Sequence, residues 1–165
     1  MLGDLGVARV ETRRMSSDLL LFGCGTRLCA LPLEHVDEIM RPLPVEPLSG
    51  APAFVLGASI VRGRPLPVVD LGALFGAPER SGAGRWIAVK AGHERRVALH
   101  VTNVLGIFAR DALSLHESPP LLDGADHGVV EALGRRDGAL LALLRVGNVV
   151  PDAVFAGLKD QGLQA

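Results

Sequence analysis

The chain is poor in the groups that recognise nucleic acid. It has no tyrosine, one tryptophan and 5 phenylalanines, too few flat rings to stack on bases. It also lacks an excess of charge. Its 17 basic and 18 acidic side chains leave a formal net charge of -1, which removes a general electrostatic grip on polyanions or anionic membrane. The longest apolar runs, residues 53–61 and 139–144, are too short to span a bilayer, so no direct membrane insertion is expected. Residues 1–17 carry Asp4, Arg9, Glu11, Arg13 and Arg14 without a continuous apolar stretch. No signal peptide is visible there, and the cytoplasm is the expected compartment.

Catalytic signatures are scarce as well. Neither a G-x-x-x-x-G-K-[ST] phosphate loop nor a G-x-S-x-G nucleophile motif occurs. The histidines, His35, His93, His100, His116 and His127, are dispersed, whereas a metal centre needs several ligands converging. Asp123, Asp126 and His127 form the string DGADH, whose glycine and aspartates are also what a turn requires. The 2 cysteines, Cys24 and Cys29, alternate with apolar residues and read as small buried hydrophobes in a reduced compartment. Their C-x4-C spacing leaves a thiol-based redox module as the minor alternative. The expectation is a binding protein rather than an enzyme, with no metal and no cofactor.

What the chain does have is a core. Hydrophobic residues are 48% and charged residues 21% of 165, enough for one globular domain or two small lobes sharing an interior. The 20 glycines and 11 prolines break long helices and favour short strands joined by turns. Residues 18–31 form a hairpin signal around Gly23, Gly25 and Thr26. Pro32 then opens PLEHVDEIM, expected as a short helical turn. Residues 41–52 hold Pro42, Pro44, Pro47 and Pro52 and predict an extended surface connection. Residues 54–61 read as a strand and Arg62-Gly63-Arg64 as a turn. The return strand carries Pro65 and Pro67, whose missing donors fall on one side, so an edge strand is expected. LGALFG after Asp70 reads as a helical turn closed by Gly76.

Residues 85–104 and 129–146 suggest two more hairpins, the latter through Asp137-Gly138, and residues 149–158 suggest a helix after Pro151. The sum is roughly eight to ten short strands with little helix, an all-β chain of the barrel or sandwich kind. No internal sequence repeat is evident. The organisation expected is an arm over residues 1–17, a domain over 18–158 and a tail over 159–165.

Four blocks in order then resemble one family. Val36-Asp37-Glu38-Ile39, Pro52-Ala53-Phe54-Val55-Leu56-Gly57, Val61-Arg62-Gly63 and Pro67-Val68-Val69-Asp70-Leu71 are similar to the signature of CheW-like domains, the adaptors of bacterial chemosensory arrays. Residues 87–104 and 129–146 fit the later strand pairs, and the likeness spans about residues 18–155. The resemblance implies two intertwined five-stranded SH3-like barrels with a shared core and a C-terminal helix. It implies a non-catalytic scaffold coupling chemoreceptors to a CheA-type histidine kinase. The receptor's cytoplasmic tip, a helical hairpin, would lie in a groove between the barrels, and the kinase's regulatory domain would dock on the barrel ends. By position, Val36, Glu38, Gly57, Arg62 and Ile107 fall at the receptor groove, and His116, Pro120 and Leu121 at the kinase contact. Glu38 and Arg62 could equally form an ion pair with each other. Departures from the family pattern include Ile60-Val61, Gly72 and Thr102, with Arg64 and His100 adding polarity. A divergent scaffold controlling pili, gliding or a second messenger is the alternative.

Overall fold

The computed structural model describes residues 18–76, 83–92, 94–113, 115–117, 129–145, 147 and 149–160. Its strands are β1 (Asp18–Cys24), β2 (Arg27–Pro32), β3 (Val36–Met40), β4 (Val55–Val61), β5 (Arg64–Asp70), β6 (Arg85–Lys90), β7 (Arg96–Val101), β8 (Asn103–Ala109), β9 (His116–Glu117), β10 (Val130–Arg136) and β11 (Ala139–Leu144). They form two sheets, ordered β8-β1-β2-β11-β10-β9 and β3-β6-β7-β5-β4. A one-turn helix, Leu71–Leu74, follows β5, and a longer helix, Asp152–Asp160, follows β11. Among the described residues no helix is long and apolar enough to cross a membrane.

The central strands are apolar on both faces, and the packing shows why. From β1, Leu20, Phe22 and Cys24 enter a large core with Ile87, Val89, Val97 and Leu99 of the other sheet. Leu19 and Leu21 point the other way, onto Ala30, Leu141 and Leu143. Trp86 and Ala98 likewise turn from the large core into a separate cluster with Val61, Leu66 and Val68. Each sheet thus curls around its own small interior and presents its back to a core that both share. A strand buried on both faces has no polar alternation to show, which accounts for runs such as LLLF.

The two halves of the chain repeat one plan. In each, a first hairpin joins one sheet, and the next strand and second hairpin join the other. Thus β1–β2 lies in the first sheet while β3 and β4–β5 lie in the second; β6–β7 lies in the second while β8 and β10–β11 lie in the first. The parallel joints β2/β11 and β5/β7 correspond. Both second hairpins turn through a left-handed pair, Arg62-Gly63 and Asp137-Gly138. Both carry a bulge at matching places, at Leu56 and Glu131. This duplication is invisible in the residues because it conserves register and turn geometry, not side chains.

Three expectations need correction. The helical turn after Pro32 is confined to Leu33–His35, and Val36–Met40 is a strand, held by antiparallel pairing with β6. The strand with Pro65 and Pro67 is not at an edge, because β5 lies between β7 and β4. Its prolines are accommodated locally. The backbone N–H and C=O of Ala58 both bond outward to Glu46, so the Ala58/Pro67 pair is a non-bonded one and the Pro67 nitrogen faces away from β4. On that far side, pairing with β7 begins only at Val68. Finally, the hairpin expected to end near residue 104 is followed by a full strand, β8, on the edge of the first sheet.

The proline-rich connection is extended, as expected, and it covers the free edge of β4. Glu46 N–H donates to Ala58 O at 2.7 Å and Ala58 N–H to Glu46 O at 2.8 Å. The Ser59 hydroxyl donates to Pro44 O at 2.7 Å. A strap whose prolines offer no further donors satisfies the edge without extending the sheet.

Candidate binding site on the second barrel

The V-D-E-I block is a bulged strand that sends its two acids to different partners. The register of β3 against β6 slips between Val36 and Glu38, leaving Asp37 unpaired in the ladder. Asp37 Oδ2 lies 2.7 Å from Arg96 Nε on β7. Glu38 receives Arg62 from the β4–β5 turn: Nε donates to Oε1 at 2.6 Å and Nη2 to Oε2 at 2.9 Å. β3 and β4 are the two outer strands of their sheet, so this fork closes the barrel across its seam. The Arg62 side chain is 79% exposed and that of Glu38 28%. The hydrogen bonds from Arg62 hold the Glu38 carboxyl below the usual carboxylate range and raise the guanidinium further.

Gly57 sits in the bulge of β4 with φ 144. A Cβ there would overlap the carbonyl oxygen of Glu46 and press on Val45. The glycine is what lets the strap approach β4. Val36 is half-buried against the shared core. Ile107 belongs to β8 at the edge of the other sheet and is 57% exposed. Glu38, Arg62 and the Gly57 bulge therefore gather on one barrel, Val36 supports β3 from beneath, and Ile107 lies on the other barrel. His116 pairs with Leu133 in β9/β10, the place in the first sheet that Glu46/Ala58 holds in the second. Pro120 and Leu121 lie outside the described residues, as do His93, Asp123, Asp126 and His127.

Sequence reasoning missed the uncovered apolar side chains beside these positions. Ile39 and Ile60, next to Glu38 and two before Arg62, are exposed, and so are Leu43 on the strap and Leu105 beside Ile107. Their signal was an apolar residue on an edge strand, which the sequence could not mark as an edge. Glu46 was missed because its contribution is a backbone carbonyl.

Other chemistry is quiet. Among the described residues no three His, Cys, Asp or Glu side chains gather as a metal site would require. Cys24 and Cys29 are free and buried; the hydrogen bond between them and burial push the Cys24 thiol far above its usual range, which disfavours a thiolate at Cys24. Thr102 serves the β1–β2 turn: its hydroxyl accepts from Gly25 N–H at 2.8 Å and its N–H donates to Gly23 O at 2.8 Å. An open cleft of about 640 Å³ lies between Ala91–Arg95 and Val150–Asp152. Its arginine, Arg95, is taken by Asp152 at 2.5 Å and by the Phe155 ring.

The family model for the CheW-like domain matches residues 18–154. The chain belongs to the CheW-like domain family. It is 26% identical over 135 residues to Chemotaxis protein CheW of Rhizobium meliloti (strain 1021), covering 81% of this chain and 87% of that one. It is 30% identical over 137 residues to Protein FrzA of Myxococcus xanthus, covering 75% and 80%. The crystal structure of scaffolding protein TtCheW from Thermoanaerobacter tengcongensis superimposes with a TM-score of 0.69 at 22% identity, over 81% of this chain and 92% of that one. That likeness supports the SH3-like double-barrel fold. As a CheW-like scaffold the chain is a non-catalytic chemotaxis adaptor.

Proposed function

We propose that this adaptor receives the helical hairpin of a chemoreceptor's cytoplasmic tip on the face carrying Glu38, Arg62 and the Gly57 bulge. Val36 supports that face and Ile107 extends it onto the neighbouring barrel. The observation that carries the reading is an exposed guanidinium, fixed by a bidentate carboxylate and neighboured in sequence by the uncovered Ile39 and Ile60. Helix-in-groove recognition takes this form, with apolar contacts for affinity and a few fixed polar groups for register. The regulatory domain of a CheA-type kinase docks on the barrel end carrying His116, with Pro120 and Leu121 in the segment that follows. The complex sits on the cytoplasmic side of the receptor array.

The likeness to Protein FrzA, beside that to CheW, supports a second reading of the same surface. There the scaffold serves a chemosensory system controlling pili, gliding or a second messenger. Both readings are tested by separate binding assays with a purified receptor tip hairpin and a purified kinase regulatory domain. Arg62→Ala should bind the hairpin more weakly and keep the kinase domain. Equal binding of the hairpin by the variant overturns the site, and failure of the wild type to bind either partner overturns the function.

A further inference from the structure

Trp86 and His100 are direct cross-strand partners on β6 and β7. Both are buried, His100 at 8% exposure, and the Trp86 indole Nε1–H donates to His100 Nδ1 at 3.0 Å. An indole N–H can only donate, so Nδ1 must present a lone pair and the neutral ring carries its proton on Nε2. A proton on Nδ1 would set two N–H groups against each other.

Among the described residues, the charged groups on the elements packed against the ring can be named. Asp70 of β5 is its parallel register partner, and Asp70 Oδ1 also accepts Ala73 N–H at 3.3 Å. On β6, Arg85 is exposed and donates to Gly84 O at 2.8 Å; the Gly84 backbone packs beside the Nε2 edge of the ring. The one-turn helix and β1 also pack on β7. The helix is LGAL and has no titratable side chain. From β1, Cys24 is a neutral thiol within electrostatic reach of Asp70, and Asp18 stands at the far end of the strand, opposite Ala109.

We propose that Trp86 and His100 form a proton-operated clasp, in which uptake of a solvent proton on His100 Nδ1 releases the Trp86 indole and loosens the interior of the second barrel. A proton on Nδ1 takes away the acceptor of the Trp86 indole N–H, and imidazole is the side chain suited to exchanging a proton near neutral pH. The loosening has a defined reach. Trp86 packs with Val61, Met40, Val45 and Leu56, which adjoin Arg62, Arg41, Glu46 and Gly57 in the chain. The clasp therefore stands beneath the candidate binding face. Its effect on a bound partner rests on the proposed function; the clasp itself is a property of the free protein.

Trp86 is the chain's one tryptophan, so intrinsic emission reports this indole alone. The full chain and its His100→Asn variant are titrated from pH 8 to pH 5 while circular dichroism follows strand content. Asparagine places a non-titrating acceptor near the Nδ1 position. The wild type should show a one-proton change in emission across this range, absent from His100→Asn. A flat wild-type profile overturns the clasp, as does an identical transition in the variant. If His100→Asn fails to fold, proton and nitrogen resonances of the wild type decide: the Trp86 indole N–H and the His100 ring must move with one midpoint, and two different midpoints overturn the proposal. With no partner in the sample, failure here leaves the proposed function standing, and failure of receptor binding leaves the clasp standing.

Discussion

Arg62 reaches Glu38 from a backbone that is itself left-handed, with φ 49, and still makes both hydrogen bonds of the fork. A non-glycine residue adopts that conformation at a cost, and the neighbouring Gly63 at φ 78 completes the tight turn of the hairpin. The turn thus aims a guanidinium along the seam between β3 and β4. Two edges that share no ladder are joined by one side-chain pair, and that pair remains open to solvent.

This arrangement predicts that Arg62→Ala folds normally, with its thermal transition close to that of the wild type, because exposed ion pairs contribute little to stability. Affinity for a receptor tip hairpin should fall about tenfold or more, as expected for loss of a fixed arginine at an interface. Calorimetric titration against the isolated hairpin measures it. Restoring the pair in reversed order, with Arg62→Glu and Glu38→Arg together, should not restore binding if the guanidinium's position is what the partner reads.

The pair also has a pH signature. Because the hydrogen bonds from Arg62 lower the pKa of Glu38 below its unfolded value, the contribution is complete above about pH 4.3 and disappears as pH falls through the lowered folded value. The stability difference between wild type and Glu38→Gln should therefore be constant from pH 8 to pH 5 and shrink only in stronger acid. Urea unfolding at several pH values checks this. A difference that changes between pH 7 and pH 5 would show that another group dominates.

Gly57→Ala and Gly106→Ala form a matched test. Their φ values, 144 and 146, impose the same backbone strain, roughly 1–3 kcal/mol. Only at Gly57 does the added carbon meet a backbone carbonyl, that of Glu46; at Gly106 the nearest atom is on the Phe108 ring at 3.6 Å. Gly57→Ala should be the more destabilising of the two in chemical denaturation, and it should also weaken partner binding by lifting the strap. Equal losses would mean that Glu46 yields easily and the close approach is not what the glycine protects.

Thr102→Val removes the acceptor of the Gly25 N–H while keeping shape and β preference. A loss of about 0.5–1.5 kcal/mol is expected, with the β1–β2 turn amides exchanging faster with deuterium. Thr102→Asp, which supplies another acceptor, should stay near the wild type.

The buried Cys24 and Cys29 should be silent towards a chromogenic disulfide reagent in the native protein and react on unfolding. Rapid modification of one thiol at neutral pH would revive the redox reading.

Local chemistry made much of the fold legible. The turns at Arg62-Gly63 and Asp137-Gly138 could be read from residues that tolerate positive φ, and the strands around them from short apolar runs. β3 was misread because Val36–Met40 is held as a strand by β6, far along the chain, and PLEHVDEIM alone carries helix-start features. β5 was misread because its prolines mark an unpaired stretch, and only the tertiary arrangement shows that pairing with β7 starts just beyond them. For the candidate site, the family signature pointed to Glu38, Arg62 and Gly57. It left open whether the two charges met, and it could not show that Glu46 is the neighbour that makes Gly57 necessary.

The sequence by itself determined an all-β chain punctuated by specific turns and carrying the blocks of an adaptor family, because turn geometry and motif residues are local properties. The tertiary structure alone decided which strands became edges, that each half lends its first hairpin to the other half's sheet, and that Trp86 and His100 share a hydrogen bond within a barrel. Those outcomes depend on pairing between residues far apart in the chain, where the energy of burial and register is settled between strands rather than along them.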